Sequence, residues 1–217
     1  MRRIAVLGGT GPEGHGLALR LAAAGEAVAI GSRDPARAET TAAAIRAVLP
    51  RADVTAGENT AILADASTVV LAVPFDGLAS TLERTAPSLG GKLVIDVVVP
   101  VAFRAGAFEL APIPGAASTA DLVQRAAPTA RVASAFQTLS AKSLLDLATP
   151  LDADVLVCAD DDAARDEVMS LVRRMPNLRP VDGGPLANAR YVEAAAVLLL
   201  NLNRRHHART SIRITGL

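Results

Sequence analysis

Three glycines, Gly9, Gly11 and Gly14, follow the apolar run Ile4-Ala5-Val6-Leu7 in the spacing G-x-G-x-x-G, with Thr10, Pro12 and Glu13 between them. A strand that passes into a helix through such a turn can cradle a pyrophosphate. In that geometry Gly9 permits the tight turn, Gly11 lets the ligand approach the backbone, and Gly14 lets the helix pack on the strand. A helix opening at Pro12 aims unpaired N–H groups and the positive end of its dipole at the turn, so an anion is stabilised without a basic side chain. The spacing alone is a weak signal. It gains force from its flanks, an apolar strand before it and an alanine- and leucine-rich helical stretch from Gly14 to Ala24 after it.

A second group of residues lies where the next strand ends. Ala27-Val28-Ala29-Ile30 runs into Gly31-Ser32-Arg33, and Arg37 follows one helical turn later. NAD-specific sites place an Asp or Glu at such a strand end to accept from the ribose hydroxyls, whereas a 2'-phosphate needs donors and positive charge. No carboxylate ends this strand. Ser32 can donate a hydrogen bond, and Arg33 with Arg37 can form a charged fork around a phosphate. The pattern reads as NADP(H). The alternative is a pair of solvated surface arginines with Asp34 turned inward.

The elements needed to position these groups alternate strand and helix. Pro35 to Val48 is helical, with proline at an early position where its missing N–H costs nothing. Asp53-Val54-Thr55 reads as a short peripheral strand. Thr68 to Val73 and Leu93 to Val99 are continuous apolar runs, stopping at Pro74 and Pro100, of the kind buried on both faces of a parallel sheet. The loop at Val73-Pro74 therefore faces the ligand crevice. Arg131 to Phe136 and Ala153 to Cys158 are the sixth and seventh strands. Ser118-Thr119-Ala120-Asp121 has the form of a capping box, and Asp160-Asp161-Asp162 reads as capping a helix that runs to Arg174 rather than as a metal site. The expected fold is a doubly wound, Rossmann-type α/β protein with a mostly parallel sheet and a small C-terminal helical extension. Residues 1–182 form the nucleotide-binding domain. After the break at Asp182-Gly183-Gly184-Pro185, residues 183–217 supply one long helix, Leu186 to about Arg205, and a tail. That segment is too short for its own core and packs back to complete a substrate cleft, with Arg190, Ala194, Val197 and Asn201 on one stripe.

Composition narrows the function. With 22 basic and 22 acidic residues and five aromatics, no basic stripe for nucleic acid is present. The longest apolar run, Ala194 to Leu200, is far short of the about 20 residues of a membrane helix, and no signal peptide is read; a soluble, cytoplasmic protein is expected. Cys158 is the one cysteine, and with only His15, His206 and His207 no zinc-type ligand set can be assembled. Proton donors are scarce: Tyr191 has no lysine four residues on, the lysines are Lys92 and Lys142, and no histidine lies between His15 and His206. Asp96, near the end of a central strand, is the one carboxylate placed to protonate something in the crevice, although a structural hydrogen bond is its commoner role. Hydride exchange between two cofactors needs no such group, because both rings carry their own electronics and the protein supplies placement.

Several stretches together resemble one family. They are Gly8-Gly9-Thr10-Gly11, Gly31-Ser32-Arg33, Val73-Pro74, Val157 to Asp162, Met169-Ser170-Leu171, Leu178 to Arg190 and the ending Ile212-Arg213-Ile214-Thr215-Gly216-Leu217. The chain is similar along nearly its whole length to NADPH-dependent coenzyme F420 reductases, also called F420H2:NADP oxidoreductases. The resemblance implies hydride transfer between NADPH and an 8-hydroxy-5-deazaflavin, held as co-substrate in a cleft between the large domain and the C-terminal helix of a homodimer. It implies that Thr10, Ser32, Arg33 and Arg37 hold the NADP phosphates, that the nicotinamide lies near Val73 and Pro74, and that Gln137, Thr138, Arg190 and Ala194 face the deazaflavin. On that side the chain departs from the family. Gln137 stands where a histidine is common, Ala194 and Ala196 where hydroxyl residues are found, and Phe75 in place of a tryptophan. The runner-up readings are an NADPH-dependent reductase of a small imine or carbonyl compound, with Asp96 or Lys142 as proton donor, and a non-catalytic NADP sensor.

Overall fold

The computed structural model describes residues 3–217. Its elements in chain order are β1 (Arg3–Leu7), α1 (Pro12–Ala23), β2 (Ala27–Ser32), α2 (Pro35–Val48), β3 (Val54–Glu58), β4 (Ala66–Leu71) and α3 (Phe75–Thr85). Then come β5 (Leu93–Asp96), β6 (Val101–Arg104), β7 (Ala107–Leu110), α4 (Thr119–Ala126), β8 (Arg131–Ser134), α5 (Ala141–Leu145), β9 (Ala153–Ala159), α6 (Asp162–Arg173), β10 (Leu178–Asp182) and α7 (Ala189–His206). Eight strands form one sheet in the order β10-β9-β8-β5-β4-β1-β2-β3, and β6 and β7 make a separate hairpin. Every pairing in the large sheet is parallel except β8 with β9, so the fold is doubly wound and Rossmann-like, with the long helix α7 after it.

The apolar strands are continuous because both sheet faces are covered. One face carries α1, α2 and α6 through Leu17, Leu21, Ile45, Val168 and Leu171. The other carries α3 and α4 through Leu78, Leu82 and Val123, and Leu186 and Ala189 at the start of the C-terminal segment join that same core. From β1 the chain winds outward to β2 and β3, then returns to β4 on β1's other side. Helices α1 and α3 thus lie on opposite faces, leaving a crevice beyond the carboxyl ends of β1 and β4.

The seven anticipated strands are all present, with shifted ends. β5 stops at Asp96 rather than Val99, and β3 runs to Glu58. The helix starts follow the expected chemistry. Asp34 accepts from Ala36 N (3.0 Å), Ser118 from Asp121 N (3.0 Å) and Asp161 from Ala164 N (2.6 Å). Asp160 accepts from Leu186 N at 2.9 Å, tying the C-terminal segment to the end of β9. A buried arginine, Arg20 on α1, donates to the carbonyls of Ser143, Leu144, Asp146 and Thr149, which fixes α5 and the segment after it against α1.

The tail is strapped over β9 and β10 by an inaccessible carboxylate. Asp154 accepts from Arg179 at 2.8 and 2.7 Å, from Arg213 at 3.3 Å and from Ile214 N at 2.6 Å. Arg179 in turn donates to the carbonyls of Ile214 and Leu217. The Arg179 hydrogen bonds, foremost, hold the Asp154 carboxyl down at about 2. Because its folded pKa is depressed, its contribution is present above the ordinary carboxylate range and is lost as pH falls through about 2. Asp154→Ala is expected to lower Tm by roughly 5 °C or more at neutral pH and to expose residues after Arg209 to proteolysis. An unchanged Tm and an equally protected tail would show that the strap holds nothing.

Candidate functional site

The phosphate-shaped turn is set by steric demands rather than by side chains. Gly8 has φ +76°, and a Cβ there would fall 2.7 Å from Ala72 O. The left-handed position of the turn is therefore Gly8, one residue before the counted motif. Gly9 lies against β2, its N–H donating to Gly31 O (2.9 Å) and Val6 O (3.2 Å). A Cβ on Gly14 would sit 2.5 Å from Gly8 O, so only glycine lets α1 start this close to the turn. Gly11 is more open, with Gly8 O at 3.4 Å, and leaves the backbone exposed to a ligand. Glu13 and Gly14 occupy the first turn of α1, where backbone N–H groups have no partner within the helix.

Beside this turn is a cleft of about 650 Å³. Its walls bring together Thr10 and Gly11, the end of β2 with Ser32, Arg33 and Arg37, and Val73-Pro74 after β4. Gly9, Pro12, Glu13 and Gly14 shape the turn without lining the cleft. Arg33 and Arg37 are exposed, and neither takes part in an ion pair among the described residues. Asp34 is held as the cap of α2, so its carboxylate is engaged by Ala36 N. Two features of the wall were not foreseen. Asn59 follows β3, is 2% exposed and has an unpartnered Oδ1, while the first turns of α3 contribute Asp76, Gly77, Ser80 and Thr81. Proline at Pro74 with Leu78 and Leu82 four residues apart was the available signal for that helix.

Glu13 is half-buried, with Oε1 enclosed and unpartnered, and desolvation pushes its carboxyl up to about 8. Cys158 is buried and inert, its thiol raised to about 11 chiefly by burial. Among the described residues no group of three or more His, Cys, Asp or Glu is placed to hold a metal ion.

The residues expected on the acceptor side lie apart from this cleft. Phe136, buried, takes φ +76°, a conformation that a bulky residue adopts only under constraint, and it delivers Gln137 beyond the end of β8. Gln137 Nε2 is committed to Asp96 O (2.9 Å) and Ser134 Oγ (2.6 Å), which leaves Oε1 as a buried acceptor with no partner. The group it has left to offer is thus an acceptor. Thr138 is buried beside it. Arg190 is exposed at the start of α7, donates to Tyr191 Oη at 2.6 Å and stacks 4.6 Å from that ring; among the described residues no hydrogen bond joins it to Gln137. The proposed stripe divides: Ala194 is exposed, Val197 is buried, and Asn201 bonds the backbone of Phe108 in the hairpin. Asp96 is fully buried and bonded to Thr119 (2.6 Å), and Lys142 is exposed on α5, so neither faces the cleft.

Comparison with known proteins gives a consistent result. Residues 3–100 match the family described as NADP oxidoreductase, coenzyme F420-dependent. The F420-dependent NADP reductase of Methanothermobacter marburgensis is 39% identical over 226 residues, covering 99% of both chains. That of Methanocaldococcus jannaschii is 36% identical over 221 residues, again with 99% of both covered. Among solved structures, a protein of Arthrobacter sp. FB24, described as a candidate F420-dependent NADP reductase, superposes with a TM-score of 0.82 at 28% identity over 99% of this chain and 100% of that one.

Ionisation of Glu13, two residues beyond Gly11, sets a pH limit on anion binding at the turn. Below about 8 the side chain is neutral; above it the first turn of α1 carries a negative charge that opposes an anion at the turn. The NADPH dissociation constant, followed by titration calorimetry, is expected to rise several-fold as pH passes about 8, and Glu13→Gln to flatten that rise. The same rise in the variant would assign it to another group.

Proposed function

Because this chain belongs to the coenzyme F420-dependent NADP oxidoreductase family, we propose that it transfers a hydride between NADP(H) and the deazaflavin coenzyme F420. The observation that carries the NADP half is the convergence of the glycine turn with Ser32, Arg33 and Arg37 on one cleft at the switch point of the sheet. When bound, the two rings supply the hydride-donating and hydride-accepting carbons.

The chain's own residues bind and orient. The backbone N–H groups of Glu13 and Gly14 at the start of α1 would hold the pyrophosphate against the Gly9–Gly14 turn, with Thr10 at its side. Ser32, Arg33 and Arg37 hold the 2'-phosphate, and Val73-Pro74 form the apolar shelf for the nicotinamide. These groups fit their ligand: the two arginines stand exposed on the wall, and Asn59 keeps a buried acceptor free there. On the acceptor side, Gln137 Oε1 would accept from a ring N–H, and Thr138, Arg190 and Ala194 would contact the same ligand once the second site is complete. Residues 1–182 thereby form the NADP-binding part, and residues 183–217 complete the second site. Among the described residues no His, Lys, Tyr or Cys lines the cleft, its carboxylates are Asp34 and Asp76, and neither Asp96 nor Lys142 is on its wall. That arrangement favours exchange between two carriers over reduction of an imine or carbonyl, which needs a proton donor at the reacting atom.

The reading extends to a homodimer acting in the cytoplasm. Its support is an apolar surface on α7 and the β6–β7 hairpin, where Tyr191 and Leu198 are 60% and 59% exposed and Phe103 and Leu110 lie open nearby in the fold. Asn201 joins the two elements by exchanging hydrogen bonds with Phe108 N and O. A second copy on this surface would enclose Arg190, which is open to solvent in one chain.

Purified protein is expected to bleach oxidised coenzyme F420 with NADPH and far more slowly with NADH; NADPH binding without bleaching would refute the proposal. Arg33→Ala with Arg37→Ala should raise KM for NADPH by about 100-fold or more, since each charged hydrogen bond is worth about 1.5–3 kcal/mol. KM for NADH should move little, and equal effects on both would remove these residues from the 2'-phosphate site. Leu198→Glu is expected to convert the protein to a monomer by light scattering; a wild-type monomer would contradict the dimer.

A further inference from the structure

Three side chains from different elements meet in a site closed to water. Asp96 at the end of β5 and Thr119 at the start of α4 are 0% exposed, and Glu193 in the second turn of α7 is 1% exposed. Thr119 Oγ1 lies 2.6 Å from Asp96 Oδ2, 2.9 Å from Glu193 Oε1 and 3.0 Å from Val98 O. A hydroxyl has one hydrogen, and the Val98 carbonyl can only accept. Whichever oxygen receives that hydrogen, at least one carboxyl faces the hydroxyl oxygen at hydrogen-bond distance and must carry a proton itself. Glu193 Oε1 also accepts from Thr119 N (2.9 Å) and Asp96 Oδ1 from Val98 N (3.3 Å), contacts that suit one ionised carboxylate. Two ionised groups here would be like charges buried without a counter-ion.

The surroundings supply no counter-charge. On β9, Cys158 is neutral; on β8, Ser134 is bound to Gln137. On α7, Arg190 is exposed and stacked on Tyr191, and on α4, Asp121 pairs with Arg125. Among the described residues no lysine, arginine or histidine bonds to Asp96 or Glu193. Burial first, and for Asp96 also the nearby Glu193, raises both carboxyls above their ordinary range. The shared proton is therefore retained at low pH and lost as pH rises.

We infer that Asp96, Thr119 and Glu193 form a one-proton latch that positions the first turns of α7, with Arg190 and Ala194, for the hydride acceptor. Asp96 is the common point of that side of the site, because its backbone carbonyl also holds Gln137 Nε2 at 2.9 Å. With the proton in place, α7 is tied to the end of β5. Without it, the two carboxylates repel across Thr119, and Glu193 draws its helix toward water. The latch rests on the proposed function for the identity of the acceptor alone. Glu193 is a positioning residue, since it touches neither cleft nor ligand.

Two readouts on the full-length protein test this. Amide hydrogen exchange of residues 189–200, compared at each pH with Glu193→Gln, is expected to become faster in the wild type once pH passes about 7. In parallel, the wild-type KM for coenzyme F420 should rise on the order of tenfold for each further pH unit, with kcat changing less, while the pH dependence is absent from Glu193→Gln. Asp96→Asn serves as a second non-ionising variant where the first is unstable. Matching pH courses for wild type and variant in exchange would overturn the latch. A matching course in KM would remove its link to the acceptor. If the wild type fails to reduce F420 at any pH, the functional reading falls and the positioning claim with it, while exchange still decides the latch.

Discussion

The structure depends on the absence of two side chains. Gly8, at positive φ against Ala72 O, and Gly14, against Gly8 O, let the chain reverse from β1 into α1 within a few residues. Any Cβ at either place collides with backbone, which has nowhere to move inside a sheet buried on both faces. This close approach puts the start of α1 over the carboxyl end of β1. It also brings the turn beside Ser32 of the neighbouring strand, with Gly9 bonded to Gly31 O. The charge complement of the site follows from that placement. On the proposed function, helix N–H groups would serve one phosphate and the arginines at the end of β2 another, without a buried cation.

The second half of the site is built by different means. Here the backbone is strained at Phe136, and the polar groups are buried and mutually bonded: Gln137 to Asp96 O and Ser134, Asp96 to Thr119, Thr119 to Glu193. A network of this type rigidifies when fully satisfied and is costly when it is not. It offers an acceptor atom on Gln137 and, on the inference drawn above, a helix whose seat depends on a proton, while among the described residues no His, Lys, Tyr or Cys lines the cleft. For a reaction between two carriers that is sufficient, because face-to-face placement is the protein's main contribution.

Much of this was legible in the sequence wherever one local rule dominated. The glycine spacing, the apolar runs ending at Pro74 and Pro100, the caps at Ser118 and Asp161, and the Ser32–Arg33–Arg37 cluster all express local sterics or charge. What was not legible depended on tertiary context. Strand β10 contains Pro180, which argues against a strand until its position at the sheet edge is known, where a missing donor is harmless. The β6–β7 hairpin turns on Ala105 and Gly106, both at positive φ, and alanine gives no turn signal at the first of these. The reversal of β9 against β8 has no local mark. Gln137 stands out in the sequence as a departure from a family pattern, but the commitment of its amide to Asp96 O and Ser134 required the fold. The commitments of Arg190 to Tyr191 and of Asn201 to Phe108 likewise required the fold.

The central claim is direct passage of a hydride from one carrier to the other, with no proton relay from the protein. Its most direct test is isotopic. NADPH carrying deuterium at one face of the nicotinamide C4 is mixed with enzyme and oxidised coenzyme F420 in ordinary water, and the product deazaflavin is weighed by mass spectrometry. The account predicts full retention of deuterium at the deazaflavin C5 for one labelled face and none for the other. Loss of the label to solvent, or NADPH left unoxidised in the presence of the deazaflavin, would contradict it.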